Sequence, residues 1–199
     1  MPQIKKVLIA NRGEIALRVI RACRDMGIRT VAVYSTADKD AMHVKLADES
    51  VCIGPAQSID SYLNESAILT AALLTNADAI HPGYGFLSER ADFVDKVEQH
   101  GLVWVGPNAD MIRKMGDKVN AKQTAIKCGL PVVPGSDGAI KTIEDALCWA
   151  DKIGYPVMIK AAAGGGGRGM RAVHNANELR EAYPLVKAES KTLFDPCYG

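Results

Sequence analysis

Short apolar runs alternate with stretches of helical period along the first two thirds of the chain. Lys6 to Ala10 (Lys-Val-Leu-Ile-Ala) is a β-like run, and Asn11-Arg12-Gly13-Glu14 follows it as a turn. Ile15, Leu17, Val19, Ile20 and Cys23 then recur at helical spacing as far as Gly27, a fitting C-cap. Thr30 to Tyr34 is the next strand, so the chain opens β-turn-α-β, which implies a parallel sheet with a right-handed crossover. Val44 to Ile53 holds a short helix and the strand Ser50–Ile53. Tyr62 to Asn76 reads as a helix with Asn64 as N-cap and Ile68, Leu69, Ala72 and Leu73 on its apolar face. Ala77 to His81 enters a fourth strand, Ser88 is placed to cap a helix running through Gln99, and Leu102–Gly106 is a fifth strand.

Past Pro107 the pattern changes. Asn108–Lys114 and Asp117–Cys128 are helical segments broken at Gly116, and Pro131-Val132-Val133-Pro134-Gly135 marks the expected boundary between residues 1–130 and 131–199. Beyond it come a helix (Thr142 to Ile153, ended by Gly154), a strand to Lys160, a glycine-rich loop, a strand to Val173 and a helix from Asn177. Pro184 should kink or end that helix. After Thr192 no strand completes this small sheet, so a further lobe is expected.

Composition narrows the function classes. Lys plus Arg total 24 against 23 Asp plus Glu, a formal charge of +1, so no global field points to nucleic acid or an anionic membrane. No apolar stretch nears the roughly 18–20 residues that span a bilayer. Five cysteines, odd in number and widely scattered, suit neither a metal site nor a disulfide framework. They read as buried thiols in a reducing cytoplasm.

The chemistry concentrates in two stretches. Lys160 precedes five glycines in six positions, Gly164, Gly165, Gly166, Gly167 and Gly169, with Arg168 among them. Glycines let backbone N–H groups approach closely and form a concave nest for phosphate oxygens, and this loop joins two strands at hairpin spacing as a linker does not. No Gly-Lys-Ser/Thr ends it, so it is not a P-loop. The second stretch, His81-Pro82-Gly83-Tyr84-Gly85-Phe86-Leu87-Ser88-Glu89, lies at the carboxyl end of a strand, where open α/β sheets place ligands. Lys118 falls near a helix start, where the helix dipole favours anions and gives a lysine nothing, which hints at an anionic ligand. The first turn has Gly13 alone and lacks the Gly-x-Gly-x-x-Gly of a dinucleotide site, which argues against a dehydrogenase.

Four motifs in order, Ile9-Ala-Asn-Arg-Gly-Glu-Ile-Ala-Leu-Arg18, Ala79-Ile-His-Pro-Gly-Tyr-Gly-Phe-Leu-Ser-Glu89, Met115-Gly-Asp-Lys118 and Gly-Gly-Gly-Gly-Arg-Gly-Met170, resemble the biotin carboxylase family of the ATP-grasp superfamily. The resemblance reaches to about Ser190 and implies an α/β chain: a Rossmann-like preATP-grasp parallel-sheet lobe, then a small α+β ATP-grasp lid, with the C-terminal ATP-grasp lobe absent. It implies an ATP-dependent ligase in which ATP and bicarbonate form carboxyphosphate and the carboxyl group passes to biotin on a carrier protein, the first half-reaction of acetyl-CoA carboxylase. By the resemblance Lys118 and Lys160 neutralise ATP phosphates, Gly164–Gly167 and Gly169 form the lid loop, and Met170 lies near adenine. His81, Tyr84 and Gly85 face the biotin side, and Arg18 and Arg21 lie near a homodimer interface. The Mg²⁺ ligands and the catalytic base are implied in the missing lobe, so the chain alone is expected to be inactive. A biotin carboxyl carrier protein and a carboxyltransferase are the implied partners. Ala163 stands where many members have another glycine. The competing readings are a non-catalytic nucleotide-binding or dimerisation fragment and another ATP-grasp carboxylate–amine ligase, the latter disfavoured by the His81–Glu89 stretch.

Overall fold

In the computed structural model, residues 3–116, 118–136, 138, 140–160 and 170–194 are described, with the backbone alone for 118, 119 and 189–194. The contacts divide the chain into two units, Met1–Gly116 and Asp117–Gly199.

The first unit runs β1 (Lys6–Ile9), α1 (Gly13–Asp25), β2 (Arg29–Ser35), α2 (Met42–Leu46), β3 (Glu49–Gly54), α3 (Glu65–Leu74), β4 (Ala79–His81), α4 (Ala91–Gln99), β5 (Val103–Trp104) and α5 (Ala109–Gly116). Its five strands form one parallel sheet in the order β3-β2-β1-β4-β5. β1 is central, and the part of a strand covered on both faces must be apolar at every position, as Val7–Ile9 are. Val7 and Ile9 accordingly pack against Ala16, Val19, Ile20 and Cys23 of α1, while Leu8 and Ala10 join the opposite cluster with Val31, Val33, Ile68 and Phe93.

The local signals mostly hold. Asn64 Oδ1 accepts the Ala67 N–H at 3.0 Å and caps α3, and Gly27, at φ +69°, closes α1 in the left-handed region that glycine favours. Ser88 does not cap α4. Its N–H donates to the Gly85 carbonyl at 2.9 Å, which keeps it in the preceding turn while Leu87 is buried, and the helix starts only after Arg90. The thiol expectation is corrected too: Cys23 is buried, but Cys52, Cys128 and Cys148 are exposed and unpaired.

The second unit contains α6 (Lys118–Lys127), α7 (Ile143–Ile153), β6 (Val157–Lys160), β7 (Met170–Val173) and α8 (Ala176–Phe194). β6 and β7 pair antiparallel, as the hairpin reading required. Thr142 caps α7 by accepting the Asp145 N–H at 3.1 Å. The core is small, built on Ala146, Ala150, Val173, Leu179 and Ala182. Pro184 neither ends nor breaks α8. It costs one ladder hydrogen bond, while Ala182 and Val186 on either side are buried and keep the helix going past it.

The contact division falls at Gly116, ahead of the boundary expected at 130/131. The Pro131–Gly135 stretch is irregular, as its composition implies, but α6 is tied to the far end of that stretch. Lys122 Nζ donates to the carbonyls of Gly135 at 2.9 Å and Ser136 at 3.1 Å. Among the described residues no helix is long and apolar enough to cross a membrane.

Candidate functional site

The sheet order reverses direction between β1 and β4, because the chain leaves β1 toward β2 on one side and returns to β4 on the other. Such a switch point opens a crevice at the carboxyl ends of the two strands. The Ala10 N–H donates to the His81 carbonyl at 2.9 Å and extends the pairing to the crevice edge, where Asn11 and the His81–Gly85 turn meet.

Asn11 is only 3% exposed. Its Nδ2 donates to the Pro82 carbonyl at 2.7 Å and the Tyr84 carbonyl at 2.8 Å, and its Oδ1 accepts the Arg12 N–H at 2.9 Å. Gly83 turns at φ +66°, and a Cβ there would stand 2.8 Å from Asn11 Nδ2, so the position excludes side chains by both strain and contact. The Gly83 N–H donates to His81 Nδ1 at 3.0 Å. Burial pulls the His81 pKa below the ordinary imidazole value, so the ring is neutral near pH 7 and carries its proton on Nε2. Among the described residues the N–H groups of Tyr84 and Gly85 have no partner within the chain, and a Cβ at Gly85 would meet open space.

A second set of contacts holds the far side of the turn. Phe86 adopts φ +44°, unusual for a bulky residue, and stacks on Tyr62 with ring centroids 5.1 Å apart. The Tyr62 hydroxyl donates to Asp38 Oδ2 at 2.7 Å and accepts the Ser35 N–H at 3.0 Å. Arg12 grips Asp38 with two guanidinium donors, Nε to Oδ2 at 2.8 Å and Nη2 to Oδ1, and lies over the Tyr62 ring. The Arg12 hydrogen bonds, more than any other contact, hold the Asp38 carboxyl down at about 2. Burial and the bond to Asp38 push the Tyr62 phenol up to about 12.

The hairpin of the second unit carries the other group. Val157 and Ile159 turn inward, leaving Met158 and Lys160 exposed on the opposite face. The register pairs Met158 with Ala172 and Lys160 with Met170, so one face presents two thioethers and an ammonium. Soft, polarizable methionines suit an aromatic base, and an ammonium at the strand end suits a phosphate.

The sequence-predicted residues therefore fall into two groups. His81, Tyr84 and Gly85 share the switch-point turn, and Lys160 and Met170 are cross-strand partners. Lys118 begins α6, but its side chain, like Gly164, Gly165, Gly166, Gly167 and Gly169, lies outside the described residues. Arg18 and Arg21 are exposed on α1; Arg18 Nη1 is 3.6 Å from Glu14 Oε1, and Glu14 Oε2 accepts the Tyr84 hydroxyl at 3.2 Å. Sequence reasoning missed Asn11, Asp38, Tyr62, Phe86 and Met158. Only Asn11 announced itself, as a polar residue directly after the apolar run Val7–Ala10.

Residues 3–112 match the family described as biotin carboxylase, N-terminal domain, and residues 117–197 match carbamoyl-phosphate synthase L chain, ATP binding domain. The two matches bracket the contact division at Gly116. Fold and matches together define the class: a biotin carboxylase-type N-terminal domain over 3–112 and an ATP-binding domain match of the ATP-grasp kind over 117–197. The biotin carboxylase of Haemophilus influenzae is 58% identical over 193 residues, covering 96% of this chain and 43% of that protein. The Campylobacter jejuni biotin carboxylase complex with beta-gamma-ATP has 53% identity and a TM-score of 0.89 over 96% of this chain and 43% of that one. The biotin carboxylase domain dimer of Hydrogenobacter thermophilus 2-oxoglutarate carboxylase, in complex with MgADP, ADP and bicarbonate, has 48% identity and a TM-score of 0.86 over 98% and 43%. The chain belongs to the biotin carboxylase family. It spans less than half the length of the relatives it matches.

Proposed function

We propose that the native polypeptide carrying this chain is a biotin carboxylase that uses ATP and bicarbonate to carboxylate biotin on a carrier protein, for delivery to a carboxyltransferase. The observation that carries this reading is the switch-point turn, held from inside by Asn11 with the N–H groups of Tyr84 and Gly85 left unbonded among the described residues. Two fixed N–H donors and a neutral His81 suit the uncharged, hydrogen-bonding ureido ring of biotin. On the nucleotide side Lys160, with Lys118, neutralises phosphate charge, and Met158 and Met170 bear on the base. Gly164–Gly167 and Gly169, which lie outside the described residues, are assigned to phosphate binding by the family resemblance alone. Phosphoryl transfer needs charge neutralisation and positioning more than covalent chemistry, and these groups supply part of both. Magnesium, when bound with ATP, adds to that neutralisation. Among the described residues no cluster of three His, Cys, Asp or Glu side chains can hold a metal, so no step runs through the ion here. The unpaired thiols favour a reducing compartment such as the cytoplasm.

ADP release by the native polypeptide with ATP, bicarbonate and free biotin tests this. We expect biotin to stimulate release, and Lys160→Met to raise the KM for ATP about tenfold while leaving that for biotin unchanged. A folded polypeptide whose ATP turnover ignores biotin overturns the reading.

The same proposal places a homodimer interface on α1 around Arg18 and Arg21. Reversing both charges (Arg18→Glu with Arg21→Glu) is expected to halve the mass seen by sedimentation. An unchanged dimer would move the interface elsewhere.

A further inference from the structure

We propose that Asn11 is the positioning residue for the His81–Gly85 turn, setting the shape in which the turn receives biotin; the biotin part rests on the function proposed above. One primary amide does three jobs at a buried point. Two Nδ2–H donors bridge the Pro82 and Tyr84 carbonyls, and Oδ1 takes the Arg12 N–H. This fixes the amide's orientation, since the flipped form would set Oδ1 against two carbonyl oxygens and Nδ2 against an N–H. It also fixes the register of the turn. With both inward carbonyls satisfied by a side chain and the Gly83 N–H held by His81 Nδ1, the described chain offers no further partner to the N–H groups of Tyr84 and Gly85. They remain available to a ligand.

The amide also fills the space a side chain at position 83 would need, so Asn11 and Gly83 are two halves of one fit. Its backbone neighbour Arg12 runs through Asp38 and Tyr62 to Phe86, so the turn is gripped at its start and its end from the same short stretch after β1. Only glutamine carries the same amide, and its extra methylene would push the group past the carbonyls it must meet. Aspartate has the shape but presents oxygens to two carbonyls, leucine has the volume but no donors, and serine has one donor on a shorter arm.

Asn11 touches the turn and not the reacting atoms, so its removal should loosen the fit for biotin and spare ATP. In the native polypeptide, Asn11→Ala is expected to raise the KM for free biotin about tenfold, with the KM for ATP within about twofold of wild type. Hydrogen exchange supplies a readout that needs no activity. The Gly83 and Ser88 amides, both bonded within the turn, should exchange about tenfold faster, while amides in the middle of α1 keep their protection. Asn11→Ser, which keeps one donor, should fall between the two and serves if the alanine variant does not fold. Biotin and ATP KM values rising together, with α1 losing protection as well, would show a merely structural role and overturn the inference. So would unchanged exchange at Gly83 and Ser88. If the wild type shows no biotin dependence, the function proposed above fails, and faster exchange in the variant still ties the turn's shape to Asn11.

Discussion

Tyr62→Ala should lower the stability of the 3–116 unit by about 4 kcal/mol, the range for emptying a large aromatic site in a core. Tyr62 is among the largest fully buried side chains, and its ring supports both the main cluster and Phe86. Tyr62→Phe separates the two contributions. It keeps the ring and the stack but removes the donor to Asp38 and leaves the Ser35 N–H without its acceptor. A buried N–H left unsatisfied costs about 1–3 kcal/mol, so this variant should lose about 2 kcal/mol. Trp104 lies in this unit and Trp149 in the other, so urea unfolding followed by fluorescence in a Trp149→Phe background reads the right transition. A Tyr62→Phe change no larger than that of a surface substitution would mean that the Ser35 N–H finds another partner. The hydroxyl would then not be what ties the turn's outer support to β2.

What the sequence made legible and what it hid differ in a physical way. Parallel strands buried on both faces must be apolar throughout, so Val7–Ile9 and Val31–Val33 could be read directly, and the β-α-β order dictated a parallel sheet. Glycine at a strand end, as at Gly83 and Gly85, signals unusual backbone, which is why the turn stood out. Asp38 and Tyr62, by contrast, carry no local mark. Asp38 sits in a polar stretch that reads as an ordinary loop, and Tyr62 at the edge of a helical pattern reads as one more apolar position. Their role comes from a meeting of residues 12, 35, 38, 62 and 86 that only the folded sheet brings about. Met158 was hidden for a related reason. Which of two alternating faces of β6 is covered depends on where α7 and α8 pack, and a four-residue strand does not say. Pro184 did not end its helix, because the residues that flank it are buried and outweigh a local propensity to stop.

Acid should weaken the first unit in two separate windows, and Asp38→Asn should shrink only the second. Burial holds the pKa values of His43 and His81 below the ordinary imidazole value; His43 donates Nε2–H to the Val33 carbonyl at 3.3 Å, and its buried Nδ1 has no partner. Both rings are neutral in the fold, and the unfolded chain binds protons first as pH falls. The stability this represents is whole above about pH 6.5 and declines below it, toward the depressed folded values. Asp38 titrates from 3.8 unfolded to about 2 folded, so its share is whole above about pH 4 and is lost as pH falls toward 2. At 1.36 kcal/mol per unit that share is about 2 kcal/mol, a fair size for a side chain that is 11% exposed and held by Arg12, Tyr62 and Ser35. Urea midpoints from pH 8 to pH 2, read on Trp104, should therefore show a first decline below about 6.5 and a second below about 4. In Asp38→Asn the midpoint starts lower, keeps the first decline and loses most of the second; the remainder belongs to Asp48, whose carboxyl the Thr30 N–H and hydroxyl hold below its ordinary value. If the variant still loses stability between pH 4 and pH 2 as the wild type does, other carboxylates carry the acid sensitivity. The Arg12–Asp38–Tyr62 set would then support the site by geometry alone.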